Sequence, residues 1–261
     1  MVHTIPELPE LLKLIDDRSC AFRAAVQSAP DLDAQVPTCP EWTLLVLARH
    51  AGGVQRRWAA IVAAGPADEA PPGTWSTAAE TAPQERELLL GWLSESTRQL
   101  VDALQEAGPG RGCWTWWGDT ESPETAAAVA RHQVHEAAVH TYDAQLAAGL
   151  AQPPALPEEV AVDGVEEFIT TCGTTTVPWP HEPATVDVYV TEGRSWRVTL
   201  SDDGASVRRL PDADAGSAAA SAFIGGAASD VVLALYDRIP MDKLELGGDV
   251  RVVERLRAWD F

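Results

Sequence analysis

The sequence predicts an N-terminal all-α antiparallel four-helix bundle followed by a smaller α+β domain. Three observations carry that expectation. Four stretches before residue 150 repeat apolar side chains at three- and four-residue steps. Composition then shifts at Ala151-Gln152-Pro153-Pro154. Beyond it, Thr185–Val190 and Ser195–Leu200 alternate with period two around Glu192-Gly193, a hairpin signature. The expected domains are residues 1–150 and 155–261.

The first helix is expected over residues 5–29, through Leu8, Leu11, Leu12, Ile15, Phe22 and Val26, with Pro30 ending it. After a connector, Pro40-Glu41-Trp42-Thr43 reads as a helix start with Thr43 as the cap. This second helix runs through Leu44, Leu47, His50, Val54, Trp58 and Ile61 to Ala64, and its Gly52-Gly53 pair suits close helix packing. A Pro/Gly/Ala-rich loop, Gly65 to Thr77, leads to a third helix, Pro83–Glu106, with Leu89, Trp92, Leu93, Leu100 and Leu104 on its apolar face. The loop Gly108–Asp119 contains Cys113-Trp114-Thr115-Trp116-Trp117, tryptophans that either plug the bundle's end or wall a pocket. Ser122-Pro123-Glu124 reads as the start of a fourth helix that stops at Gly149. In the second domain, Val207–Leu210 and Ala220–Ile224 suggest strands, and Gly225–Asp230 leads into a helix over Val231–Tyr236. A last strand is expected at Lys243–Leu246, and Asp249 caps a final helix reaching Trp259.

Composition excludes several function classes. A formal charge of −20 over 261 residues argues against nucleic acid and anionic membrane as partners, because phosphate surfaces need a basic face. No apolar run approaches the roughly 18 residues of a membrane span, and the N-terminal residues lack the pattern of a secretory signal. A cytoplasmic protein, monomeric or homodimeric, is expected. Cys20, Cys39, Cys113 and Cys172 form no CxxC pair, so neither a structural zinc site nor a disulfide is indicated.

The chemistry concentrates in Ala130–Asp143, where three of the six histidines fall within nine residues. On a helix His132, Glu136 and His140 stack one turn apart, and Asp143 continues the stripe. His135 points roughly 100° away from Glu136. A single histidine beside a glutamate is ordinarily a satisfied surface pair. Here Ala137, Ala138 and Ala144 shape the helix for close packing, and a polar stripe on a packed face needs partners. A metal ion would supply them. Metal sites in bundles are assembled from facing helices, and His50 occupies the middle of the second helix on its apolar side. His50, Glu136 and His140 would make a two-histidine, one-carboxylate set, suited to zinc with an open position or to ferrous iron. His132 and Asp143 would orient the ligand rings or a substrate.

Cys39-Pro40-Glu41-Trp42-Thr43 with Leu47-Ala48-Arg49-His50, and His135-Glu136-Ala137-Ala138-Val139-His140-Thr141-Tyr142-Asp143-Ala144, resemble the mycothiol-dependent maleylpyruvate isomerase family. Gly225-Gly226-Ala227-Ala228-Ser229-Asp230 and Leu246-Gly247-Gly248-Asp249 are similar to that family's C-terminal domain. The resemblance implies a DinB-like metal-binding bundle, a sterol-carrier-like α+β domain, and a divalent metal, usually zinc, on His50, Glu136 and His140. It also implies mycothiol as thiol cosubstrate and a catalytic basic residue in the second domain, for which Arg238 is the candidate. Trp114, Trp116 and Trp117 would line the substrate side. A metal-activated thiol could then isomerise a small electrophile or be transferred to it as a thioether. Two other readings stay open: a non-catalytic metal or small-molecule binder with a regulatory or resistance role, and a hydrolase in which the metal activates water.

Overall fold

The computed structural model describes residues 6–72, 79–211 and 220–259. Residue 5 of the expected first helix and residues 73–77 of the expected Pro/Gly/Ala-rich loop lie outside them. The chain divides into two compact units, Met1–Trp116 with Glu124–Pro154, and Trp117–Pro123 with Ala155–Phe261.

Among its described residues the first unit holds four helices: α1 (Leu8–Ser28), α2 (Leu44–Ala64), α3 (Arg86–Ala107) and α4 (Ala126–Ala147). Leu8, Leu11, Ile15, Phe22 and Val26 bury one stripe of α1, as their spacing requires. Thr43 caps α2 by accepting the Val46 amide at 3.3 Å. The principal pairings set α1 against α3 and α4, and α2 against the same two. That arrangement makes α2 and α4 neighbours.

Gly52 and Gly53 permit a close approach within this bundle. A Cβ at position 52 would meet the Trp92 ring at 2.1 Å, and one at 53 would meet Ala79 at 3.0 Å. Gly52→Val is therefore expected to overpack the α2–α3 contact by about 1–3 kcal/mol. Urea unfolding should show a lower midpoint at unchanged slope.

The fourth helix begins later than Ser122-Pro123-Glu124 suggests. Thr125 is the cap, accepting the Ala128 amide at 3.4 Å. The reason is a competing pairing: Gly112 and Thr125 form an antiparallel bridge, and the Cys113 amide donates to the Glu124 carbonyl at 3.2 Å. Extended backbone there delays helix entry. Along α4 the buried residues include His132, Gln133, His135, His140, Thr141 and Asp143, so the helix has no clean apolar stripe.

The second unit opens with α5 (Glu158–Thr171), which the sequence reading did not anticipate. Pro157 with Glu158 and Glu159 is a fair helix start, yet Asp163, Gly164 and Glu167 are buried among Val160, Val165 and Ile169, blurring the period. Among the described residues a five-stranded sheet follows in the order β3-β2-β1-β4-β5. Its strands are β1 (Ala184–Val190), β2 (Arg194–Ser201), β3 (Gly204–Arg209), β4 (Ala222–Gly226) and β5 (Glu245–Gly248). β1 and β4 pair in parallel, and the other neighbours are antiparallel. The expected β1–β2 hairpin turns at Gly193, where φ is +90°. Met241–Lys243 forms a 3-10 turn, which moves the last strand to start at Glu245 rather than Lys243. Helices α6 (Ala228–Leu235) and α7 (Val250–Ala258) complete the unit, with Asp249 capping α7. Val186, Val188, Trp196, Val198, Leu200 and Ile224 share the buried face of the sheet. Among the described residues no helix is long and apolar enough to cross a membrane.

Candidate metal centre

The α2–α4 contact brings the sequence's dispersed donors together. Each of His50, Glu136 and His140 offers one ligand atom, and the three atoms lie within 4.8 Å of one another. Glu136 and His140 are one turn apart on α4, with Oε2 and Nε2 3.6 Å apart. His50 comes from α2, its ring centroid 5.2 Å from that of His140 and nearly perpendicular to it. His140 is buried, while His50 and Glu136 are half-buried.

Asp143 is fully buried behind His140. Its Oδ2 accepts His140 Nδ1 at 3.0 Å, and its Oδ1 accepts the Thr38 hydroxyl at 2.5 Å. That bond directs Nε2 towards Glu136 and His50, the arrangement by which a carboxylate orients a metal-binding imidazole. Asp143→Asn is expected to weaken metal affinity by about 10–100-fold with little change in fold. A competition titration against a chelator measures it.

Charge supports the same assignment. Burial alone would raise the Glu136 carboxyl, but the hydrogen bond to His140 and the charges of His140, His132 and His50 hold it well below the carboxylate range. Burial would lower His140, yet hydrogen bonds to Asp143 and Glu136 outweigh it and lift the imidazole to about 9. Without a metal, the site therefore retains a proton between two carboxylates. A divalent cation held by His50, Glu136 and His140 would satisfy the same negative charge in place of that proton. The two-nitrogen, one-oxygen donor set fits zinc or ferrous iron.

A scan of known protein families matches residues 12–145 to the mycothiol maleylpyruvate isomerase N-terminal domain, and residues 159–255 to the C-terminal domain of the same family. The chain belongs to the mycothiol-dependent maleylpyruvate isomerase family. It carries both domains of this family of thiol-dependent isomerases, at 134 and 97 residues by those limits. Two solved structures share the fold: the mycothiol-dependent maleylpyruvate isomerase, with TM-score 0.60, and its histidine-to-alanine mutant, with TM-score 0.61. Each is 14% identical to this chain, and each comparison covers 93% of both chains. No curated protein sequence matches the chain.

The remaining residues expected at a family site fall in different places. His132 is buried between Trp58 and Trp116, with ring centroids at 6.4 and 5.7 Å, and its Nε2 lies 3.9 Å from Glu136 Oε1. It stands beside the three donors, outside their cluster. Trp116 is 45% exposed and Trp114 is half-buried. Trp117 is fully buried and donates its indole N–H to the Pro123 carbonyl at 3.1 Å, a packing role in the second unit. Arg238 also belongs to the second unit, where it is half-buried and donates to the Tyr236 carbonyl at 2.6 Å.

Three contributors escaped the sequence reading. Thr38 holds Asp143, and only the folded connector brings it there. Trp42 stacks obliquely on His50 at 4.7 Å and approaches His140 at 6.3 Å. Arg57 feels the charge of Glu136, although burial draws its guanidinium down. Arg57 follows His50 by seven residues on α2, so helical spacing alone placed it on the same stripe.

Proposed function

We propose that this protein is a divalent-metal-dependent enzyme that uses mycothiol, or a related low-molecular-weight thiol, on a small electrophilic substrate. The observation that carries the reading is the convergence of His50, Glu136 and His140 within 4.8 Å, with Asp143 bonded behind His140. Zinc is the preferred ion for that donor set, which would leave it an open position to favour thiolate over thiol near neutral pH. Asp143 fixes the imidazole tautomer of His140, and Glu136 contributes the anionic donor. Trp42 shields the two imidazoles on one side, and Arg57 offers positive charge near Glu136.

A thiolate adding to one carbon of a carbon–carbon double bond conjugated to a carbonyl forms a C–S bond and shifts the π pair onto the neighbouring carbon as an enolate, leaving a rotatable single bond. Expulsion of the thiolate restores the double bond in the other geometry, which is isomerisation. Protonation of the adduct carbon instead retains sulfur, which is S-transfer. Arg238 is the second domain's candidate for the basic residue that engages a substrate carboxylate, and Trp114 and Trp116 are candidates for the substrate side. The cytoplasm, which holds such thiols reduced, is the compartment this chemistry requires.

Purified protein supplied with zinc, mycothiol and maleylpyruvate, alongside a panel of other electrophiles, tests the reading. Turnover is expected to require thiol, to stop with chelator and to return with added zinc. Thiol recovered unchanged marks an isomerase, and stoichiometric loss marks a transferase. Saturable binding without turnover on any substrate would leave a non-catalytic binder, and thiol-independent turnover would indicate hydrolysis. Arg238→Gln should raise KM for a carboxylate substrate more than Arg238→Lys does.

A further inference from the structure

We propose that Gln133 and Ser19 are positioning residues for Glu136, acting through one water molecule held in a polar layer that crosses the middle of the bundle. The inference rests on the metal-centre reading, because it concerns how one of that centre's donors is held in place.

Each helix of the bundle contributes one uncharged polar side chain to the layer: Ser19 from α1, Gln55 from α2, Thr97 from α3 and Gln133 from α4, each no more than 7% exposed. Three of them form a chain with a direction. Arg23 Nη1 donates to Thr97 Oγ1 at 3.3 Å, the Thr97 hydroxyl donates to Gln55 Oε1 at 3.0 Å, and Gln55 Nε2 donates to Ser19 Oγ at 2.9 Å. Having accepted that bond, Ser19 keeps its own O–H to donate. Gln133 stands outside the chain: its Nε2 is buried and meets no hydrogen-bond acceptor among the described residues. Leaving a buried amide donor unpaired is costly, so the site calls for a partner.

The four polar residues line one cavity of about 20 Å³, and Glu136 and His140 line it too. Gln133, Glu136 and His140 follow one another at i, i+3 and i+7, so a single stripe of α4 forms that wall. A void of this size admits one water molecule and is too small for a substrate. The water accepts from Gln133 N–H and from Ser19 O–H, and it donates to the Glu136 carboxylate, whose lone pairs outnumber those a metal bond uses. Buried waters ordinarily make about three such bonds. Donors linked in a chain polarise one another in a low-dielectric interior, which strengthens the last of them. The flexible Glu136 side chain is thereby tied in the direction of His50 and His140, so that an arriving ion meets an oriented donor.

A high-resolution crystal structure of the metal-free, full-length protein tests the water directly. One water is expected within about 3.2 Å of Gln133 Nε2, Ser19 Oγ and a Glu136 carboxylate oxygen. Zinc titration against a competing chelator then compares Ser19→Ala, Gln133→Leu and the double variant, with urea midpoints as the folding control. Each single variant should lose about tenfold in zinc affinity. The double variant should lose no more than either, because both substitutions remove the same water, whereas independent effects would multiply. The visible absorption of the cobalt-loaded protein should shift in both single variants, a change that lower stability alone does not produce. Should Gln133→Leu fail to fold, Ser19→Ala and the wild-type crystals still decide the matter.

Absence of the water from wild-type crystals, multiplying losses in the double variant, or zinc affinity unchanged by Ser19→Ala overturns the proposal. A wild type that holds the water against Glu136 but takes up no zinc fails the metal-centre reading alone.

Discussion

His50→Ala is expected to abolish metal-dependent thiol turnover and to lower zinc affinity by more than about 100-fold. Loss of an orienting partner alone costs about 10–100-fold, and His50 is itself a donor. The substitution would leave Glu136 and His140, two ligand atoms from a single helix, with nothing from α2 to close the set. The fold should survive, because His50 is half-buried and lies outside the bundle's buried apolar core. Equilibrium titration with zinc against a competing chelator, with far-ultraviolet circular dichroism as the folding control, separates the two effects. His140→Ala should behave alike for metal, and in addition leaves Asp143 buried without its imidazole partner. Full zinc stoichiometry and unchanged affinity in the His50 variant would remove α2 from the site and with it the proposed chemistry.

Trp196→Ala is expected to destabilise the second unit by about 3–5 kcal/mol, the range for truncating a buried tryptophan. Trp196 is 1% exposed on the inner face of β2, directly opposite Val188 across the ladder. A domain's whole stability is about 5–15 kcal/mol, so this single cavity would consume much of it. Denaturant unfolding followed by circular dichroism should show an early transition. Zinc uptake should persist, because His50, Glu136 and His140 all belong to the first unit. Wild-type unfolding behaviour would mean that the sheet's inner face does not depend on this ring.

How far the candidate site was readable from sequence depends on distance along the chain. Glu136, His140 and Asp143 fall within eight residues on one helix, so helical geometry by itself places them on a common stripe. His50 is 86 residues from Glu136, and its membership depends on α2 packing beside α4. Thr38 and Trp42 lie in an irregular connector, where no period predicts a side chain's direction. The start of α4 was misplaced for a related reason: Ser122-Pro123-Glu124 carries good local signals, but the pairing of Gly112 with Thr125 overrides them. In α5, buried Asp163 and Glu167 hid a helix that its apolar residues alone would have announced.

Local order thus came from the sequence itself: the four long helices, the Glu192-Gly193 hairpin, the Thr43 cap and the i, i+4 spacing of Glu136 and His140 follow from short-range sterics and hydrogen bonding. Tertiary structure decided which faces meet. It set α2 against α4, placed Asp143 behind His140 and packed Trp117 inward. Those outcomes depend on close packing between segments remote in the chain, where the energy of each contact is determined by its partner and not by its neighbours in sequence.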